Sequence, residues 1–196
     1  MGHEEQQTRG EVLAKGALAV GAAYGAAMVG PFVGRALAMS GGGDVEILNF
    51  ALTLEYLESK FYEEAKTRAR ASGELKKLID LLAEDERAHV EALTATIKQL
   101  GGKPVSMPKF DFEYNGPSGF LKLAQAFEDT GVSAYNGAAP QIESKEVLAA
   151  AGGIVQVEAR HAAAIRLQNE QPPAPAAFDP PLSEAKVRKA VEPFIA

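Results

Sequence analysis

The residues predict an all-α fold: a four-helix bundle made of two antiparallel hairpins, joined by one long crossover and followed by a short C-terminal helix. Three observations carry this. Apolar residues recur at the helical period in four long segments. The second and third segments are separated by the only long stretch without such a period. Finally, the chain reads as two copies of one unit: a lone glutamate, a tyrosine seven residues later, and a Glu-x-x-His tetrapeptide about thirty residues on. Glu55 to Glu86 is 31 residues and Glu128 to Glu158 is 30, with Tyr62 and Tyr135 in matching places.

Composition sets the class. The 196 residues are 46% hydrophobic and 23% charged, with a net charge of -6, which suits one globular domain with a sizeable core. No basic patch is present, so no nucleic acid is expected as a partner. Cysteine is absent, which removes disulfides, thiolate metal sites and Cys nucleophiles and leaves only His, Asp and Glu as metal ligands.

Residues 1–38 read as an export signal or an N-terminal anchor helix. Residues 16–34 are uncharged and rich in Ala and Gly, and Ala36-Leu37-Ala38 is an acceptable signal-peptidase site, so the mature chain is expected to begin near Met39. Thr8-Arg9-Gly10-Glu11 resembles a twin-arginine export motif in which Gly10 stands in place of the second arginine. Exported localisation follows: periplasm, cell envelope or extracellular space. Gly21-x-x-x-Gly25 and Gly30-x-x-x-Gly34 equally suit a retained helix, which would associate with a membrane through residues 16–34.

Residues 39–43 form a Gly-rich spacer, and 44–196 the bundle. Asp44 is the expected N-cap of the first helix, which carries Ile47, Leu48, Ala51 and Leu52 inward and runs to about Ala71. Ser72-Gly73 makes a tight connection, forcing an antiparallel pair. The second helix bears Leu75, Ile79, Leu82, Ala83, Val90, Leu93, Ile97 and Leu100 on one face and ends at Gly101-Gly102.

Residues 101–118 contain Pro104, Pro108 and Pro117 and no helical period. At roughly 3.3 Å per residue this loop reaches about 55 Å, enough to traverse a helix of about 40 Å from end to end. One such crossover between two hairpins is the ferritin-like topology. The third helix starts near Ser118, carries Leu121, Ala124, Val132 and Tyr135, and is stopped by Gly137 and Pro140. The fourth runs from about Ser144 to Gln168 with Val147, Ala151, Ile154, Val155, Ala162 and Ile165 inward. After the Pro-rich break from Gln171 to Pro175, Phe178, Leu182, Val187, Phe194 and Ile195 are expected to fold back on the bundle, with a short amphipathic turn from Ser183 to Val191.

Within these stripes lie acids. Taking about 100° per residue, Leu75, Ile79, Leu82, Leu93 and Ile97 fall within about 40° of Glu86, and His89 and Val90 within about 60°. Val147, Ala151, Ile154 and Ile165 surround Glu158 in the same way. Glu55 is flanked by Leu48, Ala51 and Leu52, and Glu128 by Leu121, Ala124 and Val132. An ionised carboxylate buried without a partner costs several kcal/mol, so four in one core require cations. Glu55, Glu86, His89, Glu128, Glu158 and His161 are therefore the candidate metal ligands, with no further catalytic or cofactor-binding residue.

Two metal ions are expected, and carboxylates with imidazole suit iron, manganese and zinc alike. Tyr62 and Tyr135 serve either as core filling or as hydrogen-bond donors to a ligand. Glu58 sits three residues after Glu55, where a Glu-x-x-His motif would carry its histidine, and is an additional candidate ligand. Glu63, Glu64, Glu84, Asp85 and Glu91 read as solvated charge.

Four runs carry a family resemblance: Leu48-Asn49-Phe50-Ala51-Leu52-Thr53-Leu54-Glu55-Tyr56-Leu57-Glu58, Glu84-Asp85-Glu86-Arg87-Ala88-His89-Val90, Pro108-Lys109-Phe110-Asp111-Phe112, and Val157-Glu158-Ala159-Arg160-His161-Ala162-Ala163. Over about residues 44–196 the chain resembles the exported ferritin-like domain proteins related to desiccation-associated proteins. The resemblance implies a ferritin-like bundle, an export signal and a dinuclear iron or manganese centre. It implies no settled reaction; the incomplete arginine pair departs from the exported members. Two functions follow as expectations. One is a dinuclear carboxylate protein handling iron, O2 or H2O2 in stress protection. The other is a non-catalytic stress or scaffold protein with a structural metal site. Either is compatible with a homo-oligomer.

Overall fold

The computed structural model describes residues 42–196, and the expected leader, with residues 16–34 and the Met39 boundary, lies outside them. Five α-helices follow in order: α1 Gly42–Arg68, α2 Gly73–Gln99, α3 Gly116–Ala138, α4 Lys145–Gln168 and α5 Glu184–Val191. Short 3-10 turns cover Ala139–Gln141 and Glu192–Phe194. No strand occurs among the described residues, and none of their helices is long and apolar enough to cross a membrane.

Helix α1 pairs with α2 and α3 with α4, and the two hairpins meet across α1–α3 and α2–α4. The all-α bundle with one long crossover is thus the observed architecture. Two apolar clusters fill it. One gathers Leu54, Leu57, Phe61, Leu82, Phe112, Phe120, Phe127 and Ile165, and the other Leu48, Leu52, Leu93, Ile97, Tyr135, Val147 and Ile154. On each helix the candidate ligands fall between residues of one cluster and residues of the other. A polar layer is therefore enclosed above and below by hydrocarbon, where water cannot stabilise charge.

The crossover is tied down by α1. Asn49 donates through Nδ2 to Lys103 O at 3.1 Å and accepts from Val105 N at 2.8 Å, while Arg68 donates to Phe112 O at 2.9 Å. Phe112 is fully buried and meets Phe61 edge-on at 5.3 Å between centroids. The loop thereby closes the Phe-rich end of the bundle.

Several boundaries differ from the sequence reading for identifiable reasons. Asp44 lies inside the first turn of α1 rather than capping it, and its buried carboxylate accepts from Glu143 N and Ser144 N, both at 2.9 Å. It fixes the entry to α4, where Ser144 is the N-cap and accepts from Val147 N. Helix α3 ends at Ala138, between Gly137 and Pro140 as expected, but Gly137 has a second use. Its lack of a side chain admits the tail, because a Cβ there would collide with the Leu182 carbonyl, and Leu182 N donates to Ser133 O at 2.9 Å. Helix α5 folds back, burying Val187 as expected and Val191 besides, and Phe110 pairs with Ile195 in an isolated antiparallel bridge. Phe178 does not fold back: it is 88% exposed, in a Pro-rich segment that lacks regular structure.

Candidate metal centre

All six sequence-derived residues meet in the enclosed layer. Helix α1 brings Glu55, α2 brings Glu86 and His89, α3 brings Glu128, and α4 brings Glu158 and His161. The four carboxylates are fully buried, and the imidazoles nearly so. They form two overlapping quartets, Glu55–Glu86–His89–Glu158 and Glu86–Glu128–Glu158–His161, each with ligand atoms within 4.8 Å of one another. Glu86 and Glu158 belong to both, whereas Glu55 and Glu128 belong to one each. Two-fold pairing of hairpins is what creates this pattern, since each Glu-x-x-His turn points at the same midline.

The imidazoles show how the layer is wired. His89 Nδ1 lies 2.9 Å from Glu158 Oε1 and 3.2 Å from both Glu55 Oε2 and Glu86 Oε2. One ring nitrogen carries at most one hydrogen, so it cannot bond three carboxylates at once. His161 Nδ1 lies 2.8 Å from Glu86 Oε1 and 3.6 Å from Glu128 Oε2. Its other nitrogen, Nε2, is 3.1 Å from Asp85 Oδ2. With the Nε2 hydrogen engaged by Asp85, Nδ1 would be the nitrogen available to a cation among the glutamates.

Despite this proximity, Glu55 Oε2, Glu86 Oε1, Glu128 Oε2, both oxygens of Glu158 and His161 Nδ1 are buried without a well-directed hydrogen bond. Buried polar atoms are almost always partnered. A group of orphaned acceptors converging on one point fits a pair of cations, whose charge would offset the buried carboxylates.

Matching residues 43–171 is the family model described as a ferritin-like domain, which spans all four helices of the bundle. The chain belongs to the ferritin-like domain family. No curated protein gives a significant match. In this ferritin-like domain α5 and the tail lie beyond the matched region.

Without cations, the layer must hold protons instead. Burial, then repulsion from Glu158, raises the Glu55 carboxyl to about 8, although His89 pulls it down. Burial also raises Glu128 well above the usual carboxylate range, against the opposing pull of His161. Burial alone would neutralise His89 and His161, but the facing carboxylates outweigh it and raise both imidazoles. Glu86 behaves oppositely: burial pushes it up, but both imidazoles hold it below the usual range.

Both tyrosines turn out to be hydrogen-bond donors, each to the lone glutamate of the opposite hairpin. Tyr62 donates to Glu128 Oε1, and Tyr135 to Glu55 Oε1 at 2.5 Å. Burial, followed by the adjacent carboxylates, raises both phenols, so they remain protonated donors. Asp85 is a correction. It is buried and bonded to His161, not solvated, because it reaches across to α4 from the edge of the α2 stripe. The position equivalent to Asp85 in the second repeat is Val157, so His89 has no such carboxylate behind it. Glu63, Glu84 and Glu91 are exposed and Glu64 partly so, as expected, with Arg87 paired to Glu91 at 2.8 Å rather than to the centre.

Proposed function

We propose that this ferritin-like domain binds two metal ions, iron first and manganese second, and uses them to oxidise Fe(II) or to consume O2 or H2O2. The observation that supports this best is the sharing of Glu86 and Glu158 between two ligand quartets. Glu86 and Glu158 would serve both ions, with Glu55 and His89 holding one and Glu128 and His161 the other. Such a pair of ions supplies two-electron redox chemistry toward dioxygen or peroxide. The surrounding residues orient and shield it. Tyr62 and Tyr135 each hold one oxygen of Glu128 and Glu55, leaving the second free to face a cation, and Asp85 fixes the ring of His161. The apolar clusters on both sides keep bulk water away, which strengthens each of these electrostatic contacts.

Fe(II) added to metal-free protein under O2 or H2O2 should then produce near-ultraviolet ferric absorbance faster than Fe(II) in buffer. His89→Ala is expected to slow this at least tenfold, whereas Glu63→Ala, at an exposed residue paired with Lys66, should leave it unchanged. Equal rates in the two variants, or no rate above buffer, would favour the non-catalytic scaffold.

We further propose an exported protein of the desiccation-associated branch, supported by the uncharged segment 16–34 and Ala36-Leu37-Ala38. Mass spectrometry of protein from its native host should find a chain starting near Met39. An intact Met1 would instead indicate a retained anchor.

A further inference from the structure

The two hairpins are near copies at the centre, and besides Asp85 and Val157 a second pair of positions breaks the likeness. Three residues after Glu55 the first repeat carries Glu58; three residues after Glu128 the second carries Gly131. The two are in contact across the α1–α3 interface. A Cβ built on Gly131 would stand 3.2 Å from Glu58 Oε1 and 3.5 Å from Glu158 Oε2. The glycine is helical, where alanine would ordinarily be favoured by about 1 kcal/mol, and a Cβ here would crowd the Glu58 carboxylate. That space is filled by a carboxylate.

Glu58 is 2% exposed, and its Oε1 has no hydrogen-bond partner. Neither a basic side chain nor a tyrosine compensates it, unlike Glu55 and Glu128, which each have a phenol. We infer that Glu58 is a seventh metal-facing ligand, seated over Gly131 beside the shared Glu158, and that it makes unequal two metal positions which the repeat would otherwise make alike. This rests on the two-metal reading. Burial raises the Glu58 carboxyl well above its usual range, and Glu158, Glu86, Glu128 and Glu55 add to the rise in that order, so it lies within the field of all four ligands. A like asymmetry is seen on the imidazoles: Asp85 bonds His161, whereas Val157, at the matching position of the second repeat, offers His89 no such carboxylate.

The test is a titration of metal-free full-length protein with Mn(II), with free Mn(II) read by electron paramagnetic resonance and with melts of the metal-free and loaded forms. Glu58→Gln keeps shape and removes the anionic ligand. It should raise the melting temperature of the metal-free protein by relieving a buried acid, yet weaken at least one of the two Mn(II) affinities tenfold or more. Gly131→Ala retains all seven groups and favours the helix. By displacing Glu58 a few tenths of an ångström it should weaken the same affinity to a smaller degree. Two Mn(II) bound at wild-type affinity in both variants would overturn the Glu58 inference and leave the two-metal reading standing. Failure of the wild type to bind Mn(II) would overturn both.

Discussion

Chelating the metal from the protein should lower its melting temperature by roughly 10 °C or more. Each ion held at about 100 times its dissociation constant stabilises the fold by about 2.7 kcal/mol, so two contribute about 5 kcal/mol. For a domain of this size that corresponds to roughly 2–4 °C per kcal/mol. The pH dependence should differ in sign between the two forms. In metal-free protein Glu55 is raised to about 8, and Glu58 and Glu128 are raised as well, so between about pH 5 and 8 the folded state holds protons that the unfolded chain releases. That stability is present at low pH and lost as pH rises. His89 and His161, also raised, act in the same direction, their contribution being complete below the ordinary imidazole pKa and lost as pH rises from there through the raised folded-state value. Glu86, held low, matters only as pH falls below the carboxylate range. Metal-loaded protein should show the reverse trend, because cations displace those protons more easily at higher pH. Melts at pH 5, 6.5 and 8, with and without chelator, should therefore diverge. A metal-free curve that stays flat or rises with pH would contradict this account of the buried layer.

The second large effect concerns stoichiometry. Because Glu86 and Glu158 enter both quartets while Glu55 and Glu128 enter one each, Glu86→Ala or Glu158→Ala should take the metal content from two per chain toward zero. Glu55→Ala or Glu128→Ala should take it toward one. Elemental analysis of the four variants purified in parallel reads this directly. Identical losses from all four would reject the shared-ligand assignment, and full retention in Glu86→Ala would reject the site.

What the sequence made legible was whatever lies along one helix. The period of the apolar stripes, together with Glu-x-x-His spacing, placed Glu55, Glu86, His89, Glu128, Glu158 and His161 on inward faces, and the structure brings them into one layer. Contacts between helices were harder to read. Asp85 looked solvated because it sits about 100° from Glu86 on α2, and only the approach of α4 explains its burial against His161. The choice between filler and donor for Tyr62 and Tyr135 depended on the opposite hairpin in the same way. Glycines were only partly legible for a related reason. Gly137 and Gly131 read as a helix stop and as nothing in particular, yet each makes room for a group from elsewhere in the chain, the Leu182 backbone and the Glu58 carboxylate. Phe178 shows the converse: an apolar residue in a Pro-rich segment with no period to orient it, left in solvent.

Crystals of protein purified without added metal, with anomalous diffraction collected on either side of the iron and manganese edges, give the most direct test. The account predicts two anomalous peaks per chain between the four helices, one bounded by Glu55 and His89 and the other by Glu128 and His161, with Glu86 and Glu158 reaching both. A single peak, or none where these six side chains converge, would contradict it.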